Sequence, residues 1–198
     1  MAGKGKYYES QFEEATIELL RESHWQYTFG DDIHRKYTDP LIEEDLRTFL
    51  AAQYKDKKLT ASEVDGIVAN LRNTGGQNDY YALQNTFLLY RDGYDFTYSD
   101  GRGNPFRLQY IDFEHPDHNI FRCVNQFVME QGRENRRPDI LLFVNGIPVC
   151  IIELKNPTKQ NATIRDAHTQ ICTRYMRDIP ALLKYCALAV ISDGAKNE

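Results

Sequence analysis

The sequence predicts an α/β fold, a mixed central β-sheet flanked by helices, with an amino-terminal helical portion. Three observations carry this expectation. Up to about residue 92, apolar residues recur at three- and four-residue spacing, whereas from Phe106 onward they come in short runs of strand length. The order of elements is helices, about four strands, a helix and a last strand, which is the order of a mixed sheet covered by helices. With 198 residues, 41% of them hydrophobic, the chain is long enough to bury a core without staples. A single domain over 1–198 is expected, its helical portion over about 1–92 and its sheet-containing core over about 93–198.

The first helix is predicted over Gln11 to Ser23, with Phe12, Thr16, Leu19, Leu20 and Ser23 on one side. Pro40 to Ala52 gives a second, burying Leu41, Ile42, Leu46, Phe49 and Leu50. Thr60-Ala-Ser-Glu63 has capping-box spacing, in which a hydroxyl and a carboxylate each satisfy a free amide, so a third helix should run from there to about Arg72. A loop over Asn73 to Asn78 leads to a fourth helix over Tyr80 to Tyr90. Strand-like runs follow at Phe106 to Phe113, Asn119 to Glu130, Ile140 to Val144 and Ile147 to Ile152; Asn161 to Arg177 is helical and Cys186 to Ser192 is a final strand. Tyr94, Phe96 and Tyr98 are expected to pack against the sheet rather than to stack on bases.

Composition narrows the function classes. No apolar run approaches the roughly 18 residues of a membrane span, and Met1 to Tyr8 is too polar for a secretory signal, so a cytoplasmic protein is expected. Cys123, Cys150, Cys172 and Cys186 are scattered and read mostly as buried free thiols. The net charge of −5 argues against nucleic acid, whose binding needs cations. The distribution argues the other way: from Arg133 to Arg177 eight basic residues face four acidic ones, a local basic patch on an acidic chain.

The informative segment runs from Arg136 to Lys155. Two strands, apolar on both faces and joined at Asn145-Gly146, should form a central hairpin. Asp139 opens the first; Glu153 and Lys155 close the second and, two apart, share a face. A regular two-residue turn would put Asp139 on the opposite face from Glu153. The expectation is therefore a three-residue loop, Val144-Asn145-Gly146, or an equivalent bulge. Two carboxylates at such a site repel unless a proton or cation lies between them. Mg²⁺ suits them, with the Leu154 carbonyl as a further metal ligand and Lys155 beside the reacting water, and the reaction class is in-line phosphodiester hydrolysis. The alternative is a plain salt bridge of Lys155 with Asp139 or Glu153. His115-Pro-Asp-His118 reads as a turn in preference to a metal site.

Pro138-Asp139 followed across a hydrophobic hairpin by Glu153-Leu154-Lys155 resembles the PD-(D/E)XK nuclease superfamily. The longer string RRPDILLFVNGIPVCIIELKNP, with Asn125-Gln-Phe before it and Asp178-Ile-Pro and Ile191-Ser-Asp-Gly after it, is similar to the nuclease domain of type I restriction enzyme R subunits. The resemblance implies Mg²⁺-dependent cleavage of double-stranded DNA, Asp139 and Glu153 as metal ligands, Lys155 as catalytic lysine, and a complex with methyltransferase and specificity subunits. It further suggests a catalytic helix glutamate, for which Glu13 is preferred over Glu14 and Glu9. Arg136, Arg137, Lys159 and Gln170 are the candidate DNA contacts. Relatives carry a QxxxY motif after the lysine; here Gln170 and Tyr175 are five apart, about 140° around an α-helix, so only Gln170 is retained. Nothing resembles GxxxxGK[ST]; Gly101-Arg-Gly-Asn-Pro is a loop, so ATP belongs to motor domains that this chain, expected to be a fragment, does not contain. A docking or DNA-binding module of the same fold, and a repair nuclease of the same superfamily, remain as alternatives.

Overall fold

The structure, a computed structural model, describes residues 4–155 and 164–193, with side chains from Ser10 onward. Helix α1 (Lys4–Glu22) leads into strand β1 (Gln26–Phe29); α2 (Glu43–Gln53), α3 (Ala61–Asn73) and α4 (Asp79–Asp92) follow. The strands are β2 (Tyr94–Phe96), β3 (Phe106–Leu108), β4 (Phe121–Asn125), β5 (Met129–Gln131), β6 (Glu134–Arg136), β7 (Ile140–Val144) and β8 (Ile147–Leu154). Helix α5 (Ile164–Thr169) then passes into a π-helical turn, Gln170–Tyr175, two short helical pieces and β9 (Leu188–Ser192).

The main sheet has five strands in the order β1-β4-β7-β8-β9. Its outer pairs β1/β4 and β8/β9 are parallel and its inner pairs antiparallel, so the mixed sheet with flanking helices is as expected. The β7/β8 hairpin lies at the centre and nearly all of it is buried, which explains why both strands are apolar on both faces. On one face Ile140, Cys150, Ile152 and Leu154 pack under Ile17 of α1, and Val144 and Ile147 continue into the core made with α2, α3 and α4. On the other face Leu141, Phe143 and Ile151 pack against Ala167, Ile171 and Tyr175.

Local chemistry explains the helices. In α3 both halves of the capping box form: Glu63 N donates to Thr60 Oγ1 at 3.2 Å and Thr60 N to Glu63 Oε2 at 2.9 Å. Asn78 caps α4 by accepting from Tyr81 N. The predicted buried residues of α2 are all in the core. In α1 the stripe is shifted: Ile17 is buried, whereas Leu19 is 64% exposed and Ser23 is exposed.

Several strand expectations are corrected. Phe106 to Phe113 is strand only to Leu108, where it pairs with β2 and packs its aromatics against Tyr94, Phe96 and Tyr98. Asn119 to Glu130 is broken after Asn125 by Gln126 at φ 56°, and its end forms a separate hairpin with β6. The start of the helix expected from Asn161 lies outside the described residues. Of the thiols, Cys123, Cys150 and Cys186 are buried and Cys172 is exposed. Among the described residues no helix is long and apolar enough to cross a membrane.

Candidate active site

The hairpin turn sets the site. Asn145 and Gly146 both have positive φ, 51° and 75°, and Val144 pairs with Ile147, so the connection is a two-residue turn of the kind Asn-Gly favours. The three-residue loop is therefore wrong, because both residues of this turn find unusually good partners. Asn145 is fully buried yet satisfied: its Oδ1 accepts from Ile120 N at 2.8 Å and its Nδ2 donates to Tyr110 O and Asn119 Oδ1. The Gly146 carbonyl accepts from Ile42 N at 2.9 Å, and a Cβ on Gly146 would stand 2.1 Å from the Ile42 carbonyl oxygen.

The phase is restored by the other expected device, a bulge. Leu142 pairs with Cys150 but Phe143 with Pro148, which leaves Val149 without a cross-strand partner. Beyond the bulge the register continues through Ile140 opposite Ile152; carried on by one residue, it sets Asp139 across from Glu153. The bulge thus turns Asp139, Glu153 and Lys155 to one face, the face covered by α5 and the π turn.

Glu153 is 0% exposed. Its Oε1 accepts from the Tyr175 hydroxyl at 2.8 Å and its Oε2 from Gln170 Nε2 at 2.7 Å, with Lys155 Nζ 3.5 Å away. Burial, and then the neighbouring Asp139 carboxylate, push the Glu153 carboxyl up to about 7. Gln170 ties the group together: its Oε1 accepts from Lys155 Nζ at 3.1 Å and its Nε2 also reaches the Tyr175 hydroxyl at 2.7 Å. Asp139 Oδ2 accepts from Leu154 N at 2.7 Å. In extended backbone the N–H and C=O of one residue point to the same side, so the Leu154 carbonyl faces the Asp139 side as well.

The exclusion of Tyr175 is overturned. It assumed an undistorted α-helix, but the segment from Gln170 to Tyr175 is a π turn, which makes residues five apart into axial neighbours. Both side chains then reach the same carboxylate. Burial, and next the Glu153 charge, raise the Tyr175 phenol, which therefore stays protonated as a donor. The one sequence signal for this was the motif itself, stretched by one residue.

The other candidates separate. Glu13 lies on α1, which packs on the opposite face, and its Oε1 accepts from Asn125 Nδ2 at 2.7 Å and Gln126 Nε2 at 3.2 Å at the end of β4; these hydrogen bonds do not go to the Asp139–Glu153 pair. Arg136 is held by Asp178 at 2.6 Å and Glu134 at 2.7 Å and keeps its side chain partly exposed. Arg137 is exposed. Lys159 lies outside the described residues.

The sequence model of the family described as "Type I restriction enzyme R protein N terminus" matches residues 6–197. The chain belongs to this family. It is 31% identical over 196 residues, 94% of its length, to the type I restriction enzyme HindI endonuclease subunit of Haemophilus influenzae. It is 35% identical over 105 residues, 51% of its length, to the type I restriction enzyme EcoprrI endonuclease subunit of Escherichia coli. The chain spans 18% of the Haemophilus subunit and the Escherichia coli match 31% of its counterpart, so this R-protein amino-terminal chain corresponds to one portion of far longer relatives.

Proposed function

We propose that this chain is the DNA-cleaving portion of a type I restriction enzyme R protein, hydrolysing phosphodiester bonds of double-stranded DNA at Asp139, Glu153 and Lys155. The observation that carries the reading is the opposition of two carboxylates on one face of a buried hairpin with an ammonium beside them. A fold-only role requires no fully buried carboxylate set opposite a second one. The donor set fits a hard divalent cation: two carboxylates and a backbone carbonyl, all oxygen, at a place where negative charge is crowded. Mg²⁺, when bound, supplies charge neutralisation at the scissile phosphate and acidifies a water.

The chain's own residues do the rest. Leu154 N–H orients Asp139, while Tyr175 and Gln170 orient Glu153. Gln170 acts chiefly as a positioning residue, holding Lys155 towards the carboxylates, where its charge can steady the attacking water or the developing negative charge. Exposed Arg137, Arg165 and Arg174 offer cations for the phosphate backbone nearby. The methyltransferase and specificity subunits are the partners this reading assigns to the complete enzyme.

The test is plasmid cleavage by the assembled restriction complex in Mg²⁺, with the full R subunit carrying Asp139→Ala or Lys155→Ala. Each variant should lose cleavage while complex assembly persists. Unchanged cleavage by both would remove the assignment.

A further inference from the structure

At the far end of the hairpin, about 20 Å along the strands from Asp139, the loop before β4 brings together three side chains that DNA cleavage does not use. Asp112, His115 and His118 offer ligand atoms that all lie within 4.8 Å of one another. We propose that they form a second metal site, for a borderline transition ion of the Zn²⁺ class, that clips this loop to α2 and to the hairpin turn.

The geometry favours a shared ion over a simple hydrogen-bonded turn. Both Nδ1 atoms approach one carboxylate oxygen, Asp112 Oδ2: His118 at 3.1 Å and His115 at 3.7 Å. The edge of a tetrahedron with bonds of 2.0–2.1 Å is about 3.3 Å, and these two separations bracket it. His118 is within hydrogen-bonding range of that oxygen; His115 is aimed at it but lies beyond range. The two rings stack nearly parallel, with centroids 5.0 Å apart and planes at 17°, so one exposed ring has to tilt for both in-plane lone pairs to meet at the ion. They are 61% and 52% exposed, which leaves the outer side of the site open to water as a fourth ligand.

The carboxylate is already oriented. Asp112 Oδ1 accepts from Glu114 N at 3.0 Å and His115 N at 2.9 Å, and Gln53 Nε2 of α2 donates to Oδ2 at 2.9 Å. Asn119 secures the loop from beneath: its Oδ1 accepts from Asp112 N and from the Asn145 amide, and its Nδ2 donates to Asp112 O and Pro116 O. Such outer partners fix the ligands of metal sites. Two imidazoles with one carboxylate select Zn²⁺, Co²⁺ or Ni²⁺ and discriminate against Mg²⁺, the opposite preference to the all-oxygen Asp139 and Glu153 site.

The test uses the purified chain stripped with chelator and dialysed against Zn²⁺ in excess Mg²⁺, with Co²⁺ absorption as a report on coordination. One Zn²⁺ should bind and should remain in an Asp139→Asn, Glu153→Gln background. His118→Asn keeps a side-chain donor near Asp112 and should preserve the circular dichroism spectrum. Because loss of an outer partner costs 10–100-fold, loss of the ligand in that variant should weaken Zn²⁺ by about 100-fold or more and Gln53→Ala by about tenfold. Undiminished Zn²⁺ binding by folded His118→Asn, or no Zn²⁺ retained by the wild-type chain, overturns the proposal.

Discussion

Replacing Glu153 by glutamine should remove the loss of stability that the metal-free protein undergoes in alkaline solution. The carboxyl is raised from its ordinary 4.5 to about 7 by burial and by Asp139, so the folded chain holds that proton more tightly than the unfolded chain does. The stability linked to the proton is complete below about 4.5 and is lost as pH rises through about 7. At about 1.4 kcal/mol for each factor of ten, ionising Glu153 in the fold costs at most about 3 kcal/mol. Relaxation around the pair reduces this, and at least about 1 kcal/mol, roughly 2–4 °C, should remain. The assay is thermal unfolding of wild type and Glu153→Gln in chelator from about pH 5 to about pH 9. Wild type should lose stability across the interval and the variant should not; the hydrogen bonds altered by the amide shift the whole curve without tilting it. Excess Mg²⁺ should restore wild type alone at the alkaline end. Parallel curves in chelator would refute the electrostatic argument.

The remaining predictions follow from neighbouring contacts. Tyr175→Phe removes the hydroxyl that donates to Glu153 and accepts from Gln170; stability should fall by about 1–2 kcal/mol and Mn²⁺ affinity by about tenfold, read by denaturation and calorimetry. Gly146→Ala places a Cβ against the Ile42 carbonyl at a positive φ and should cost about 2 kcal/mol or more in urea denaturation; a neutral result would mean that the turn moves freely off α2. Deleting Cys172 should convert the π turn to α-helix with Gln170 and the tyrosine four apart, leaving divalent binding within a few-fold of wild type, because both spacings present the pair to one face.

What the sequence revealed and what it concealed divide along physical lines. Apolar spacing located α2 and the capping box located α3, because α2 buries its stripe and Thr60 and Glu63 form both halves of the box; the Asn78 cap of α4 was not read. The β7/β8 hairpin was legible because it is buried on both sides and carries Asn-Gly. Strand β1 was not: four residues at the sheet edge, mostly exposed, owe their conformation to a parallel partner 96 residues away. In the site, alternation showed that a regular hairpin would separate Asp139 from Glu153, but not where the correction would fall, since one extra residue anywhere along either strand restores the phase and the structure has it at Val149. Tyr175 was lost to an assumption of ideal helical geometry, although its identity and distance from Gln170 were plain.

The segments that carry the acidic pair's surroundings each hold one surplus residue, Val149 in the strand and one more within Gln170–Tyr175. Each surplus is absorbed where it occurs, so the lengths of chain between reactive groups can drift while their positions in space stay put. A search for such centres in other sequences should therefore let every gap stretch by a residue, scoring which groups end up side by side instead of how many letters separate them.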